Sequence, residues 1–283
     1  MVESLAQSPG VPSVGVDDPS RRDFIHIIAT AAAVGGVAAV AWPLVDQLNP
    51  AADTLALASQ SGWIHESLSI GTRGIIPVFH RFAPAASRRI YISTGVHGDE
   101  PAGPLAALEL IRRNQWSADT DIWLLPCLNP SGFALNRREN SEGVDLNRDY
   151  RHLRSDEVRA HVAWINRQQS FDLTLCLHED WESDGFYVYE LNPEQRPSYA
   201  AAMIKAVGAV CPIDLATEIE GRPAQGGIIN PSIDPNARPE WPEAFYLLQN
   251  KTRLSYTLES PSDFPLATRV AALVAATRVV LNA

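Results

Sequence analysis

Cysteine is scarce in this chain. Its 283 residues hold three, Cys127, Cys176 and Cys211. Two of them lie inside apolar runs, so they read as reduced core thiols and not as a disulfide framework. Positive charge is also short. The formal net charge is −10, and the first 61 residues carry two basic and six acidic side chains, leaving −6 for the rest. That balance argues against nucleic acid as a partner. There is no internal repeat and no low-complexity tract. The length allows one or two domains, and the composition suits one catalytic domain behind an N-terminal anchor.

Charge is absent altogether between Asp23 and Asp46, where Ile27 to Val45 is rich in Ala, Val and Gly. The gap is close to the ~20 residues that span a bilayer, and the run has no polar face that would suit a core helix. Before it stands Ser20-Arg21-Arg22-Asp23-Phe24-Ile25, a twin-arginine signal pattern. After Arg22 no Lys or Arg occurs until Arg73. The positive-inside rule then puts the N-terminus in the cytoplasm and the main domain outside. The expected organisation is a disordered lead over 1–20, a signal or transmembrane anchor over 21–46, a linker over 47–61 and a catalytic domain over 62–283. Ala39-Val40-Ala41 and Ala56-Leu57-Ala58 both offer a small-x-small cleavage pattern, so retention at the inner membrane and secretion after cleavage are both open.

What is present points to a metal. The apolar run Arg89 to Gly95 reads as a buried strand and ends in His97-Gly98-Asp99-Glu100. Pro101 to Ile111 then reads as a helix with its prolines near the start. An H-x-x-E pair at a strand-to-helix switch can grip one side of a metal ion, and in α/β proteins ligands collect at the carboxyl ends of strands. Alone the pair is also what a solvated turn looks like. A catalytic zinc wants three protein ligands and one open position. The strand Phe171 to Leu177 supplies the third ligand in His178, followed by Glu179-Asp180. A further strand, Leu254 to Leu258, closes on Glu259. A carboxylate there is costly to bury without a partner or a task, and a general base beside activated water is the task we expect. Between these lies a polar excursion, Asn129 to Tyr150, with Arg137, Arg138 and Arg148 suited to carboxylates and oxyanions.

The order H-x-x-E, N-P-x-G, R-x-N-x-x-G-V-D-L-N-R, strand-His, strand T-x-E resembles the M14 zinc carboxypeptidase clan. Within it the nearest branch is that of murein peptide amidases and succinylglutamate desuccinylases/aspartoacylases. The resemblance covers residues from about 62 to 283. It implies one zinc ion per chain held by His97, Glu100 and His178, with Asp145 orienting His97. It implies Arg138 at the oxyanion, Asn147 and Arg148 on the substrate's free carboxylate, and Glu259 as base and proton shuttle. Arg137 is adjacent to Arg138 and could take its place. Where the family has N-R-N, this chain has Asn147-Arg148-Asp149, and the extra charge is expected beside the carboxylate receptor. Tyr246 receives no role. The implied substrate is a small peptide or an N-acyl amino acid. The activity is that of a metallocarboxypeptidase or amidase, or alternatively of an N-acyl amino acid deacylase.

Residues from about 18 to 59, through Ala41-Trp42-Pro43-Leu44-Val45-Asp46-Gln47, resemble the anchor of the Rieske subunit of ubiquinol–cytochrome c reductase. No cysteine is followed by the histidine of a C-x-H box, so no cluster can form. The resemblance speaks to targeting, and a non-catalytic accessory role in a respiratory complex is the weakest reading.

The expected fold is α/β: a mixed, mainly parallel β-sheet flanked by helices on both faces, carboxypeptidase-like, plus the N-terminal transmembrane or signal helix. Strands are expected over 74–82 and 185–191, and helices over 155–168 (capped by Ser155), 197–210 and 265–281. Residues 221–242, with five prolines and three glycines, read as a long loop. Trp181 to Tyr187 is expected to line the pocket.

Overall fold

The computed structural model describes residues 62–283. The expectations for the lead, the twin-arginine anchor and the linker lie outside the described residues.

Ten strands form one sheet. They are β1 (Ile64–Ser69), β2 (Ile75–Arg81), β3 (Arg88–Thr94), β4 (Thr120–Leu125), β5 (Leu173–Asp180), β6 (Tyr187–Leu191), β7 (Glu218–Ile219), β8 (Arg222–Gln225), β9 (Ile228–Ile229) and β10 (Ser255–Pro261). Their spatial order is β1-β2-β4-β3-β5-β10-β6-β9-β8-β7. The four central strands β4, β3, β5 and β10 run parallel, and antiparallel pairs flank them. Central parallel strands are covered on both faces, so they need near-continuous apolar sequence. All eight residues of β5 are buried, as are all six of β4.

Alternation along these strands feeds two cores. Ile90 and Ile92 of β3, Leu173, Leu175 and Leu177 of β5, and Tyr256 and Leu258 of β10 face one side. There they meet α1 (Ala102–Arg113), α4 (Ala200–Val207) and α6 (Leu266–Leu281). Tyr91, Trp123 and Cys176 face the other side, against α3 (Asp156–Arg167) and α5 (Glu243–Asn250). The period of two thus decides which helix layer each strand residue meets. Cys127, Cys176 and Cys211 are all buried and free.

Helix α3 begins where its cap requires: the Ser155 side chain accepts from Val158 N–H, and Asp156 and Glu157 occupy the positive end. The long loop expected over 221–242 is only partly a loop. Residues 218–229 fold as three short strands that extend the sheet past β6. Prolines mask this in sequence, although Pro223 of β8 fits because it lies opposite Glu218 of β7 and just before β8 begins to pair with β9 at Ala224. Among the described residues, no helix is long and apolar enough to cross a membrane.

Candidate metal centre and active site

His97 and Glu100 sit in the connection from β3 to α1, and His178 lies within β5, which runs two residues further than the sequence pattern suggests. All three are buried, and their ligand atoms lie within 4.8 Å of one another. His97 Nδ1 is 2.5 Å from Glu100 Oε1, and His178 Nδ1 is 3.0 Å from Glu100 Oε2. Both imidazoles therefore offer Nδ1 to one carboxylate. His97 Nε2 is 3.3 Å from Asp145 Oδ1, which leaves Nδ1 as the free coordinating atom. Two nitrogens and a carboxylate at this spacing fit one zinc ion with room for a fourth ligand.

The electrostatics fit a cation. Burial works against charge on His97, yet the Glu100 and Asp145 carboxylates outweigh it and raise its pKa to about 9. Burial would also raise Glu100, but His97 and His178 hold it well below the usual carboxylate range. A zinc ion replaces the positive charge that these groups otherwise gather as protons.

Glycine permits the close approach behind this cluster. A Cβ on Gly98 would stand 2.0 Å from the backbone carbon of Gly132. The H-G-x-E turn thus rests directly on α2 (Pro130–Leu135). Asn129 locks the contact: its side chain accepts from Gly132 N–H and donates to Val96 O and Arg138 O.

Of the two neighbouring arginines, Arg138 faces the cluster. Its Nε donates to Asp145 Oδ2 at 2.9 Å, and its Nη1 is 3.4 Å from His97 Nδ1. Arg137 turns away to Asn140 O. Glu259 of β10 pairs in register with His178 of β5, so both side chains project from the same face. Burial raises the Glu259 pKa well above the ordinary value, against the opposing pull of His178. Arg148 is exposed and its Nη1 donates to Asn147 O. Asn147 is buried, with Oδ1 accepting from Glu243 N–H.

Asp149 departs from expectation. It is fully buried, and its carboxylate accepts from Arg154 N–H and Nε–H and from Ser155 N–H and Oγ–H. Its charge is satisfied by these four donors, two backbone and two side-chain, from Arg154 and Ser155. Residues 181–187 differ along their length, and Tyr187 pairs in register with Glu259. Trp181 is 73% exposed, whereas Phe186 and Tyr187 are buried. Tyr246 Oη donates to Asn166 and its ring packs on Tyr150.

Sequence reasoning missed Glu179 as a structural partner. Next to His178 in β5, it points to the opposite face, where it accepts from Ala102 N–H at the start of α1 and from Arg269 of α6. Burial raises its pKa to about 7 against the pull of Arg269. Its own N–H donates to Glu100 Oε2. The only sequence signal is alternation: a carboxylate after a ligand on a buried strand must face the other core.

Comparison with known proteins agrees with this site. Residues 86–225 match the model of the Succinylglutamate desuccinylase/Aspartoacylase catalytic domain, a span that holds all three metal ligands and Arg138 through Arg148. Residues 13–51 match that of the Ubiquitinol-cytochrome C reductase Fe-S subunit TAT signal. The chain is 32% identical over 107 residues to Carboxypeptidase SOL1 of Arabidopsis thaliana, covering 29% of this chain and 21% of that protein. It is 34% identical over 119 residues to the ubiquinol-cytochrome c reductase iron-sulfur subunit of Rhodospirillum rubrum, covering 40% and 60%. The chain thus spans about a fifth and three-fifths of these relatives. A crystal structure of a protein assigned as a metallopeptidase from Shewanella amazonensis SB2B shares the fold, with a TM-score of 0.71 and 24% identity over 84% of this chain and 94% of that one. The chain therefore combines a carboxypeptidase-like fold and a His-Glu-His cluster able to hold a metal ion with a Rieske-like signal match at its N-terminal end.

Proposed function

We propose that this zinc-dependent hydrolase is a deacylase of small N-acyl amino acids that holds its substrate by a free carboxylate. The observation that carries the reading is the alignment of residues 86–225 with a deacylase catalytic domain across the whole metal and arginine set. A second reading, a carboxypeptidase or murein peptide amidase, draws on the fold shared with a metallopeptidase. Both cleave an amide beside a carboxylate, and they differ in what lies on the acyl side.

Zinc at His97, Glu100 and His178 would supply Lewis acidity, polarising the carbonyl and acidifying water. In the proposed mechanism Glu259, in its ionised form, takes a proton from the attacking water. Arg138 holds the oxyanion as the carbonyl becomes tetrahedral. Glu259 then delivers the proton to the leaving amine as the C–N bond breaks. Asn147 and Arg148 fix the carboxylate, and Asp145 holds both His97 and Arg138 in place. The products are a free acid and an amino acid.

The N-terminal match supports export through the twin-arginine route and retention by residues 21–46, with 62–283 outside the inner membrane and 1–20 in the cytoplasm. This route lets the domain fold around its metal before crossing. Fractionation with Arg21 and Arg22 both changed to Lys tests it; a protein soluble in the cytoplasm with or without the change refutes it.

A hydrolysis screen of the zinc-loaded protein decides the substrate. N-acyl amino acids should be cleaved, with peptides and murein peptides slower. Preferred cleavage of peptides would favour the second reading, and no cleavage of any would refute both.

A further inference from the structure

Beneath the metal cluster, on the α3/α5 face of the sheet, lies a set of buried polar groups that the chemistry does not use. Glu243 at the start of α5, Tyr91 of β3, His161 of α3 and Tyr150 are each at most 2% exposed. Tyr91 Oη donates to Glu243 Oε1 at 2.6 Å. The Tyr91 oxygen must then accept from His161 Nε2–H, at 2.8 Å. His161 Nδ1 is thereby left as an acceptor for Tyr150 Oη–H, at 2.7 Å. The chain of hydrogen bonds has one consistent polarity, with His161 neutral.

The two residues that end this chain also contact the same loop, Glu243 through its backbone N–H and Tyr150 as part of that loop. Glu243 N–H donates to Asn147 Oδ1 at 2.8 Å. A backbone N–H can only donate, so the oxygen of the Asn147 amide must face it, and the two Nδ2 protons are left for a ligand. Tyr150, three residues on, hangs from His161. Asp149 between them is tied to Arg154 and Ser155. Apolar residues of similar volume would pack this core as stably, because desolvating His161 and Glu243 is costly. What a polar chain adds is direction: each bond fixes an angle that packing alone leaves loose.

We propose that Tyr91, His161 and Glu243 form a platform that positions the Asn147–Arg148 carboxylate receptor, and so govern how tightly substrate is held without touching it. This rests on the reading above that Asn147 and Arg148 receive the substrate carboxylate. They are positioning residues, acting through a loop 50 to 100 positions away in sequence from two of them.

The test uses the full-length, zinc-loaded chain with Tyr91→Phe, Tyr150→Phe, His161→Leu and His161→Gln. The two Phe variants each remove one oxygen atom, so they keep the test open if His161→Leu does not fold. Gln offers one donor and one acceptor and should partly restore the chain of bonds. Hydrogen–deuterium exchange of 145–150 should rise about tenfold in the disrupted variants, as expected for one lost buried hydrogen bond. Exchange of 97–105 and 173–180 and the zinc content should stay unchanged. With the fastest free-carboxylate substrate of the screen, KM should rise about tenfold while kcat stays within about twofold. Unchanged exchange at 145–150, an equal rise in every segment, or a fall in kcat at constant KM would overturn the proposal. Arg148→Ala separates it from its premise. If that variant leaves KM unchanged, the receptor reading fails, while the exchange result still judges the platform. If it raises KM and the platform variants leave exchange unaltered, only the platform fails.

Discussion

The metal cluster and the loop from Asp145 to Tyr150 meet at one end of the sheet, yet they are held by different means. His178 stands in β5, and His97 and Glu100 follow the end of β3, two central parallel strands whose partners are fixed by backbone ladders. The loop has a single 3-10 turn at Leu146–Arg148 and is held by side chains: Asp145 by Arg138, Asn147 by Glu243 N–H, Asp149 by Ser155 and Tyr150 by His161. A ladder positions a ligand through many cooperative bonds, so the cluster should fail all at once when a ligand is lost. A loop hung on separate side-chain hydrogen bonds should loosen by degrees, each bond costing about 1 kcal/mol.

The sharpest break is His178→Ala. It should take zinc from about one per chain to far below that, with activity lost, as metal analysis would show. Full occupancy in the variant would refute the ligand set. Glu259→Gln comes next. It should keep zinc and fold but lose about 10²–10⁴-fold in turnover, since Gln cannot accept a proton; near-normal kcat would point to another base.

Arg269→Met tests the other face of β5. Glu179 would stay buried without its partner, and breaking a buried pair costs about 3–5 kcal/mol. The denaturant midpoint should fall accordingly, and an unchanged midpoint would show that the pair carries no stability. On the loop side the effect should be smaller. Amidating the substrate carboxylate should cost about 10–100-fold in kcat/KM, the value of one charge-assisted contact. Equal turnover of blocked and free substrate would remove Arg148 from recognition.

A further effect is one of pH. Burial lowers the His161 pKa to about 3, from an ordinary value of 6.5. Between those values the unfolded chain binds a proton that the native chain refuses. The stability held above pH 6.5 is therefore lost progressively as pH falls toward 3. His161→Gln should flatten that part of the stability profile, as urea unfolding at several pH values would show. An identical slope in both proteins would mean that other groups dominate.

Much of the cluster was legible because its signals are local. His97 and Glu100 are three residues apart at a strand-to-helix switch, and His178 and Glu259 close apolar runs that could only be buried strands. Arg138 against Arg137 was not legible, since adjacent residues of one type differ only in where the chain turns them. Asp149 misled for a related reason. Its charge looked available to a substrate, whereas four donors from Arg154 and Ser155 consume it. The strands at 218–229 were hidden because they are only two to four residues long and carry a proline, Pro223, just before β8 pairs with β9.

By itself the sequence determined the parallel α/β core and the metal-ligand types, because each follows from apolar period, strand-end placement and ligand chemistry within short windows. Only the tertiary structure decided what stands behind them. Asn147 meets Glu243, Glu179 meets Arg269 and Tyr91 meets His161 across 96, 90 and 70 positions. Those partners are chosen by which face of the sheet a residue takes and which helix layer covers it, and no short window of sequence carries that information.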